Sequence, residues 1–288
     1  MNIKDIVIKT IQPLEILRVD TCEKNDIVSD VITGNVLYKG EDIPVYFKAY
    51  AFNYPHIAKG DRGLLNEIIG YLICHLHKVP QPEQAFFVLM PKEKLTHLWS
   101  NLNERIKKSY ESSDIIPMFA TQRIYSKSMA IRYSHSMYAV ENELRKWKHF
   151  KKALVCDEAM ANTDRLPRNI LTINSKDFWL IDNGKLAIED GTNWRRAGLI
   201  DHYHYSNYLA DLVIKDVQAD HRKGSAIIGV ASSRTKMFKD IILECEFWID
   251  MLASDDDKKD WKEFLKFLQS RDHNITRILS KRYGMLSL

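Results

Sequence analysis

Residues 162–184 constrain this chain more than any other stretch. They begin Asn162-Thr163-Asp164-Arg165-Leu166-Pro167-Arg168-Asn169, continue through two short apolar runs, Ile170–Ile173 and Phe178–Ile181, and close with Asp182-Asn183-Gly184. Apolar runs of this length are too short for helices and read as the arms of a hairpin. A strand reversal returns the chain to the end it left. Asn169 and Asp182, thirteen positions apart, are therefore expected to converge. Asp164 lies five positions before Asn169 in the loop that feeds the first arm, so both can point to one place.

With 288 residues, 45% of them hydrophobic, the chain can bury one large core or build two lobes with a core each. Its 42 Lys and Arg against 38 Asp and Glu give a net charge of +4, too mild to call for direct nucleic-acid binding. The densest basic patch, Arg145-Lys146-Trp147-Lys148 with Lys151-Lys152, reads as a solvated helix face. Cys22, Cys74, Cys156 and Cys245 are scattered, without a CxxC pair, which argues against zinc. No signal-peptide core opens the chain and no apolar run suits a bilayer, so the expectation is a soluble, reduced, cytoplasmic protein with no membrane partner.

The expected organisation is α+β. A β-rich part over 1–120 contains strand candidates at Ile6–Ile8, Val28–Tyr38, Ile43–Tyr50, Ala85–Met90 and Pro117–Ala120. The second and third form a hairpin around Lys39-Gly40. Between strands, Leu64, Leu65, Ile68, Ile69, Leu72, Ile73 and Leu76 recur at helical spacing behind Asp61 as cap. Leu95–Glu111 reads as helical or irregular. The remainder, 121–288, is mainly helical. It has helices around Met137–Trp147, Phe150–Met160, Tyr205–Val213, Ile241–Leu252 and Trp261–Leu268, with Asp255-Asp256-Asp257 as a solvated cap.

The Asp–Asn–Asp set suits phosphoryl transfer from ATP. Mg²⁺ takes hard oxygen ligands and keeps some waters, so two or three side-chain oxygens suffice. Asp164 would orient the acceptor hydroxyl and take its proton, while Asn169 and Asp182 would hold the metal and the phosphate oxygens around it. Lys48, near the end of its strand, would meet the phosphates that are not transferred, steadied by Glu67 on the helix. Asn162 orients the loop or caps the preceding helix. Arg165 and Arg168 flank the site and suit phosphate, an acidic acceptor or plain solvent. No GxGxxG accompanies Lys48, Asn183 stands where DFG has Phe, and no APE-like segment follows.

These residues resemble those of the HipA-like kinase family. The likeness is carried by Val45-Tyr46-Phe47-Lys48, by Asn66-Glu67, by Ala161-Asn162-Thr163-Asp164-Arg165 with Asn169, and by Trp179-Leu180-Ile181-Asp182-Asn183-Gly184. It implies a bilobal, protein-kinase-like fold with ATP and Mg²⁺ in the cleft between lobes. It implies Asp164 as catalytic Asp, Asn169 and Asp182 as metal ligands, and Lys48 as phosphate-binding Lys. Several members phosphorylate Ser or Thr on proteins and some are toxins in two-gene modules, so the expected partners are a protein substrate, the chain itself among the candidates, and a regulatory protein. The chain departs from the family where Leu166-Pro167-Arg168 follows the catalytic position. Two other functions share the motif: a small-molecule phosphotransferase of the aminoglycoside or choline kinase kind, and a nucleotide-binding pseudokinase acting through a partner.

Overall fold

A computed structural model of the chain describes residues 6–23, 29–51, 62–188 and 194–285. The architecture is α+β, with a mixed sheet in the N-terminal part and a helical C-terminal part. The chain divides into two compact units, Met1–Ile68 with Pro82–Tyr125, and Ile69–Gln81 with Ser126–Leu288. The division falls inside helix α1 (Gly63–Leu76), so the helix contributes Glu67 to the first unit and Cys74 to the second. The cap expected at Asp61 lies outside the described residues.

In the first unit β1 (Lys9–Ile11), β2 (Ile16–Glu23), β3 (Ser29–Tyr38), β4 (Glu41–Tyr50), β5 (Ala85–Pro91) and β6 (Ile115–Gln122) form one sheet in the order β1-β5-β6-β4-β3-β2. β1 runs parallel to β5, and the other neighbours are antiparallel. The β3–β4 turn has positive φ at both Lys39 (53°) and Gly40 (83°), the mirror-image turn whose twist matches the strands. Alternation along β4 sends Ile43, Val45, Phe47 and Ala49 into a core shared with β3, β5 and β6. That core is closed by Leu95 and Leu98 of a 3-10 segment (Lys92–Asn101) and by Ile106 of α2 (Glu104–Ser109). Lys48 is out of phase with that row and faces the other side of the sheet. Pro117 is tolerated in β6 because its pairing with β4 stops at Met118.

Two strands correct the expectation. The first lies at Lys9–Ile11 rather than Ile6–Ile8, and β2 was not foreseen at all. Register shifts at Ile16/Arg18 and Val19/Cys22 break the period-two pattern that would have marked β2, and as an edge strand it leaves Leu17 exposed.

The second unit contains α3 (Met129–Arg132), α4 (Met137–Lys146), α5 (Phe150–Met160), β7 (Ile170–Thr172), β8 (Phe178–Leu180), α6 (Tyr208–Asp211), α7 (Ile214–Ala219), α8 (His221–Ser232), α9 (Ile242–Leu252), α10 (Asp255–His273) and α11 (Ile275–Arg282). Helix α5 is buried from Ala153 to Met160 and packs against α8, α10, α6 and α11. The helix expected over Tyr205–Val213 is instead broken. Tyr205 precedes α6, its hydroxyl donating to the Gly198 carbonyl (2.6 Å), and α7 restarts after Val213. α8 was hidden by Gly224 and Gly229, poor helix formers, one of which is needed: a Cβ at Gly224 would sit 2.4 Å from Met285 Sδ. The Asp255–Asp257 run is the first turn of α10 behind the Ser254 cap, where acidic side chains meet the positive end of the helix dipole. Among the described residues no helix is long and apolar enough to cross a membrane.

Candidate active site

The loop that carries Asp164 is shaped by the end of α5. Ala161 stops the helix in the left-handed region (φ 52°), and Asn162 N–H closes back on the Asp157 carbonyl at 3.0 Å. Asn162 then orients the loop rather than capping a helix. Its Oδ1 accepts from Asp164 N–H (3.0 Å) and its amide donates to Asn183 Oδ1 (3.3 Å). Pro167 opens a 3-10 turn that ends at Asn169, where β7 begins.

β7 and β8 pair antiparallel with Ile170 opposite Leu180 and Thr172 opposite Phe178. One residue further, Ile181 N–H donates to the Asn169 carbonyl at 3.1 Å. Asp182, next in the chain, takes positive φ (64°) and turns the backbone away from the strand. The returning segment pairs with the loop, with Thr163 N–H on the Lys185 carbonyl (3.1 Å) and Ala187 N–H on the Ala161 carbonyl (2.7 Å). Asn169 and Asp182 thus stand at the same end of the hairpin, beside the Asp164 loop.

Around Asp164 the geometry is specific. Arg168 Nη2 reaches its two carboxylate oxygens at 2.8 and 3.0 Å, and Lys185 Nζ lies 3.4 Å from Oδ2. Asn169 donates its amide to the Asp164 carbonyl (2.6 Å) and weakly to Oδ2 (3.4 Å). Among the described residues no donor reaches Asn169 Oδ1. The amide is therefore held by its nitrogen with its oxygen available, the orientation a hard cation needs. Among those residues no group of three or more His, Cys, Asp and Glu could hold a metal ion. Two carboxylates and one amide oxygen are too few to enclose a cation and could hold only one that retains water, as Mg²⁺ does.

Arg165 is not at the surface and does not flank an open site. It is fully buried, grips Asp157 through Nε (3.1 Å) and Nη2 (3.1 Å), and donates to the Ile181 carbonyl and to Asn183 Oδ1, both at 2.6 Å. Burial pushes the Asp157 carboxyl up in pKa, against the pull of the Arg165 guanidinium. Arg165 thus ties α5 to both neighbours of Asp182, to the Ile181 backbone on one side and the Asn183 side chain on the other. The signal was present in α5, where Asp157 and Glu158 stand in an apolar helix and so require buried partners. Asn183 is likewise buried rather than an ordinary turn residue, and it approaches α1 so closely that a Cβ at Gly70 would meet its Cβ at 2.4 Å. Lys185 left no mark in the sequence. Only the return pairing after Asp182 brings it to Asp164.

In the first unit β4 is an interior strand, between β3 and β6, so Lys48 is not on an edge. Its Nζ lies 2.5 Å from Glu67 Oε1, and the Tyr50 hydroxyl donates to the same oxygen at 2.9 Å. Glu67 is 1% exposed and Lys48 15%, so the carboxylate is enclosed while the lysine side chain is not fully so. Tyr50 is placed in turn by the Tyr110 hydroxyl on its carbonyl (2.9 Å).

Neither a protein-family model nor a curated protein matches the chain.

Proposed function

We propose that this protein is an ATP- and Mg²⁺-dependent phosphotransferase with a protein-kinase-like fold, acting on Ser or Thr of protein substrates in the manner of the HipA-like kinases. The observation that carries the reading is the closure of the β7–β8 hairpin on the Asp164 loop. The Ile181–Asn169 backbone bond and the Asn169–Asp164 contacts gather three oxygen-bearing side chains from two stretches of chain.

In this reading Asp164 accepts the proton of the acceptor hydroxyl and orients it. Arg168 and Lys185 pair with the Asp164 carboxylate and would supply positive charge to offset negative charge on the transferred group. Asn169 Oδ1 and the Asp182 carboxylate would hold Mg²⁺, which neutralises phosphate charge when bound. Lys48, fixed by Glu67 and Tyr50, binds the phosphates that stay behind.

The test is incubation with γ-labelled ATP and Mg²⁺, alone and with cell extract, followed by mass spectrometry. Phosphoserine or phosphothreonine should appear with wild type and vanish with Asp164→Asn. Label confined to small molecules would replace the protein acceptor with a metabolite. No transfer by wild type to any acceptor would overturn the enzymatic reading.

A further inference from the structure

A cavity of about 290 Å³ opens in the second unit where the end of α1, α5 and the end of α8 meet. Its apolar lining comes from Leu76, Val155, Cys156 and Val230. Its charged lining is Lys78, Lys152, Arg234 and Lys236, with the hydroxyls of Ser233 and Thr235 beside them. No Asp or Glu lines it. In a chain whose cations exceed its acids only by 42 to 38, four cations and no acid around one concavity make a local positive field that composition does not explain.

The cations divide into one that is fixed and three that are available. The Arg234 guanidinium is held by the Asp272 carboxylate, by the Asp272 carbonyl (2.8 Å) and by the Ala231 carbonyl (3.1 Å). Asp272 is its counter-ion and stands outside the lining. His77 also lines the cavity, with Nε2 3.4 Å from Arg234 Nη1. Burial and the Arg234 charge pull its pKa down to about 4, so it is neutral near pH 7. Lys78, Lys152 and Lys236 have no carboxylate within ion-pair distance among the described residues. Lys78 is set at the rim by backbone geometry: it takes positive φ (52°) after α1 and bonds back to the His75 carbonyl (3.0 Å). Lys152 is half-buried on α5. The basic patch expected to be a solvated helix face is therefore divided. Arg145 pairs with Asp216, Lys146 with Glu143 and Lys148 with Asp177, whereas Lys152 turns to the cavity.

We propose that this cavity binds a small phosphate-bearing anion, either inorganic phosphate or a small phosphate monoester. Compact ammonium groups with nearby hydroxyls match a dianion with several acceptor oxygens. The volume stands at the lower end of small-molecule sites, about 300–1,000 Å³, which favours a ligand smaller than a nucleotide. None of these residues belongs to the Asp164 loop, so the inference stands apart from the phosphotransferase reading.

Calorimetric titration of the full chain with inorganic phosphate and with O-phosphoserine, at low ionic strength, tests it. At least one should bind, with binding weakened by added salt and reduced about fivefold or more in Lys152→Gln and in the Lys78→Gln/Lys236→Gln double variant. Tighter phosphoserine binding assigns a monoester, and phosphate binding equal or tighter assigns the inorganic ion. Lys78 and Lys236 are exposed, so the double variant keeps the fold even if Lys152→Gln does not, and a thermal melt checks this. Asp182→Ala, which removes a proposed Mg²⁺ ligand, should leave phosphate binding unchanged. No binding of either anion to wild type up to about 10 mM, or binding equal in wild type and both variants, would overturn the proposal.

Discussion

Lys48–Glu67 in the first unit and Arg165–Asp157 in the second are both ion pairs removed from solvent, but they are exposed to different degrees. Arg165 and Asp157 are each 0% exposed, joined by a two-nitrogen fork, and the remaining guanidinium donors go to the Ile181 carbonyl and Asn183. Lys48 meets Glu67 through one oxygen that also serves Tyr50, and its side chain is 15% exposed. A closed fork offers nothing to a ligand and holds the Ile181 backbone and the Asn183 side chain beside Asp182. A point-charge ammonium on a side chain that is not fully enclosed can change partners more readily than a buried guanidinium fork. The contrast teaches that two charged pairs removed from solvent need not have equal work: the closed fork ties segments of one unit together, whereas the less buried pair is the one suited to meeting a ligand.

The sharpest way to break this contrast is Arg165→Ala. Removing one member of a fully buried pair leaves a carboxylate without compensation, which costs about 3–5 kcal/mol. Urea denaturation should show a loss of that order. A loss below about 1 kcal/mol would mean that the fork is not the support described.

A third cluster lies between the two extremes, with His77 against Arg234 and Asp272 (Nε2 to Oδ1 3.7 Å) and Lys152 nearby. Its folded pKa of about 4, lowered first by burial and then by Arg234, lies below the unfolded value of 6.5. The unfolded chain therefore binds this proton more readily. Stability from the neutral imidazole is whole above about pH 6.5 and is lost as pH falls through about 4, at most about 3 kcal/mol. Unfolding measured from pH 7.5 to 4 should show that slope in wild type and a flatter one in His77→Gln. Equal slopes would remove His77 from the account.

Asp164→Asn separates chemistry from support. It keeps the loop bond, because Asn162 accepts from the backbone N–H of this residue, but it removes the carboxylate that faces Arg168 and Lys185. Turnover should fall about 10²-fold or more, with stability changed by less than about 1 kcal/mol because those ion pairs are partly exposed. Turnover within about a factor of two of wild type would move the base elsewhere.

What could be read in the sequence follows from how local each signal is. The Asn169–Asp182 hairpin was legible because two short apolar runs sit between polar ends, and the reversal follows from their length alone. Lys48 and Glu67 were legible as a strand residue followed by a helix residue, and the fold brings them to 2.5 Å. Strand β2 was not, because bulges interrupt its alternation. Arg165 read as flanking the site, open to phosphate, an acidic acceptor or solvent, and its burial shows only with its partner Asp157. Lys185 and the cavity cations belong to segments far apart in the chain that tertiary packing alone assembles, and no spacing rule reaches across such distances.

The smallest functional effect expected is in Lys48→Met, and it bears directly on the comparison. The substitution keeps the length and apolar stem of the side chain and removes the charge. Glu67 keeps the Tyr50 hydroxyl on the oxygen that Lys48 shared, so its carboxylate is not stripped of donors. The stability loss should be about 1–2 kcal/mol, well under that of Arg165→Ala, because Lys48 is already partly solvated. Affinity for ATP with Mg²⁺ should fall about tenfold, while adenosine binds as in wild type, since only a phosphate contact is lost. Calorimetry with both ligands and urea denaturation of the same preparation give the two numbers. A stability loss as large as that of Arg165→Ala, with ATP and adenosine affinities unchanged, would make Lys48–Glu67 a second supporting pair, and the difference between the two units' charges would disappear.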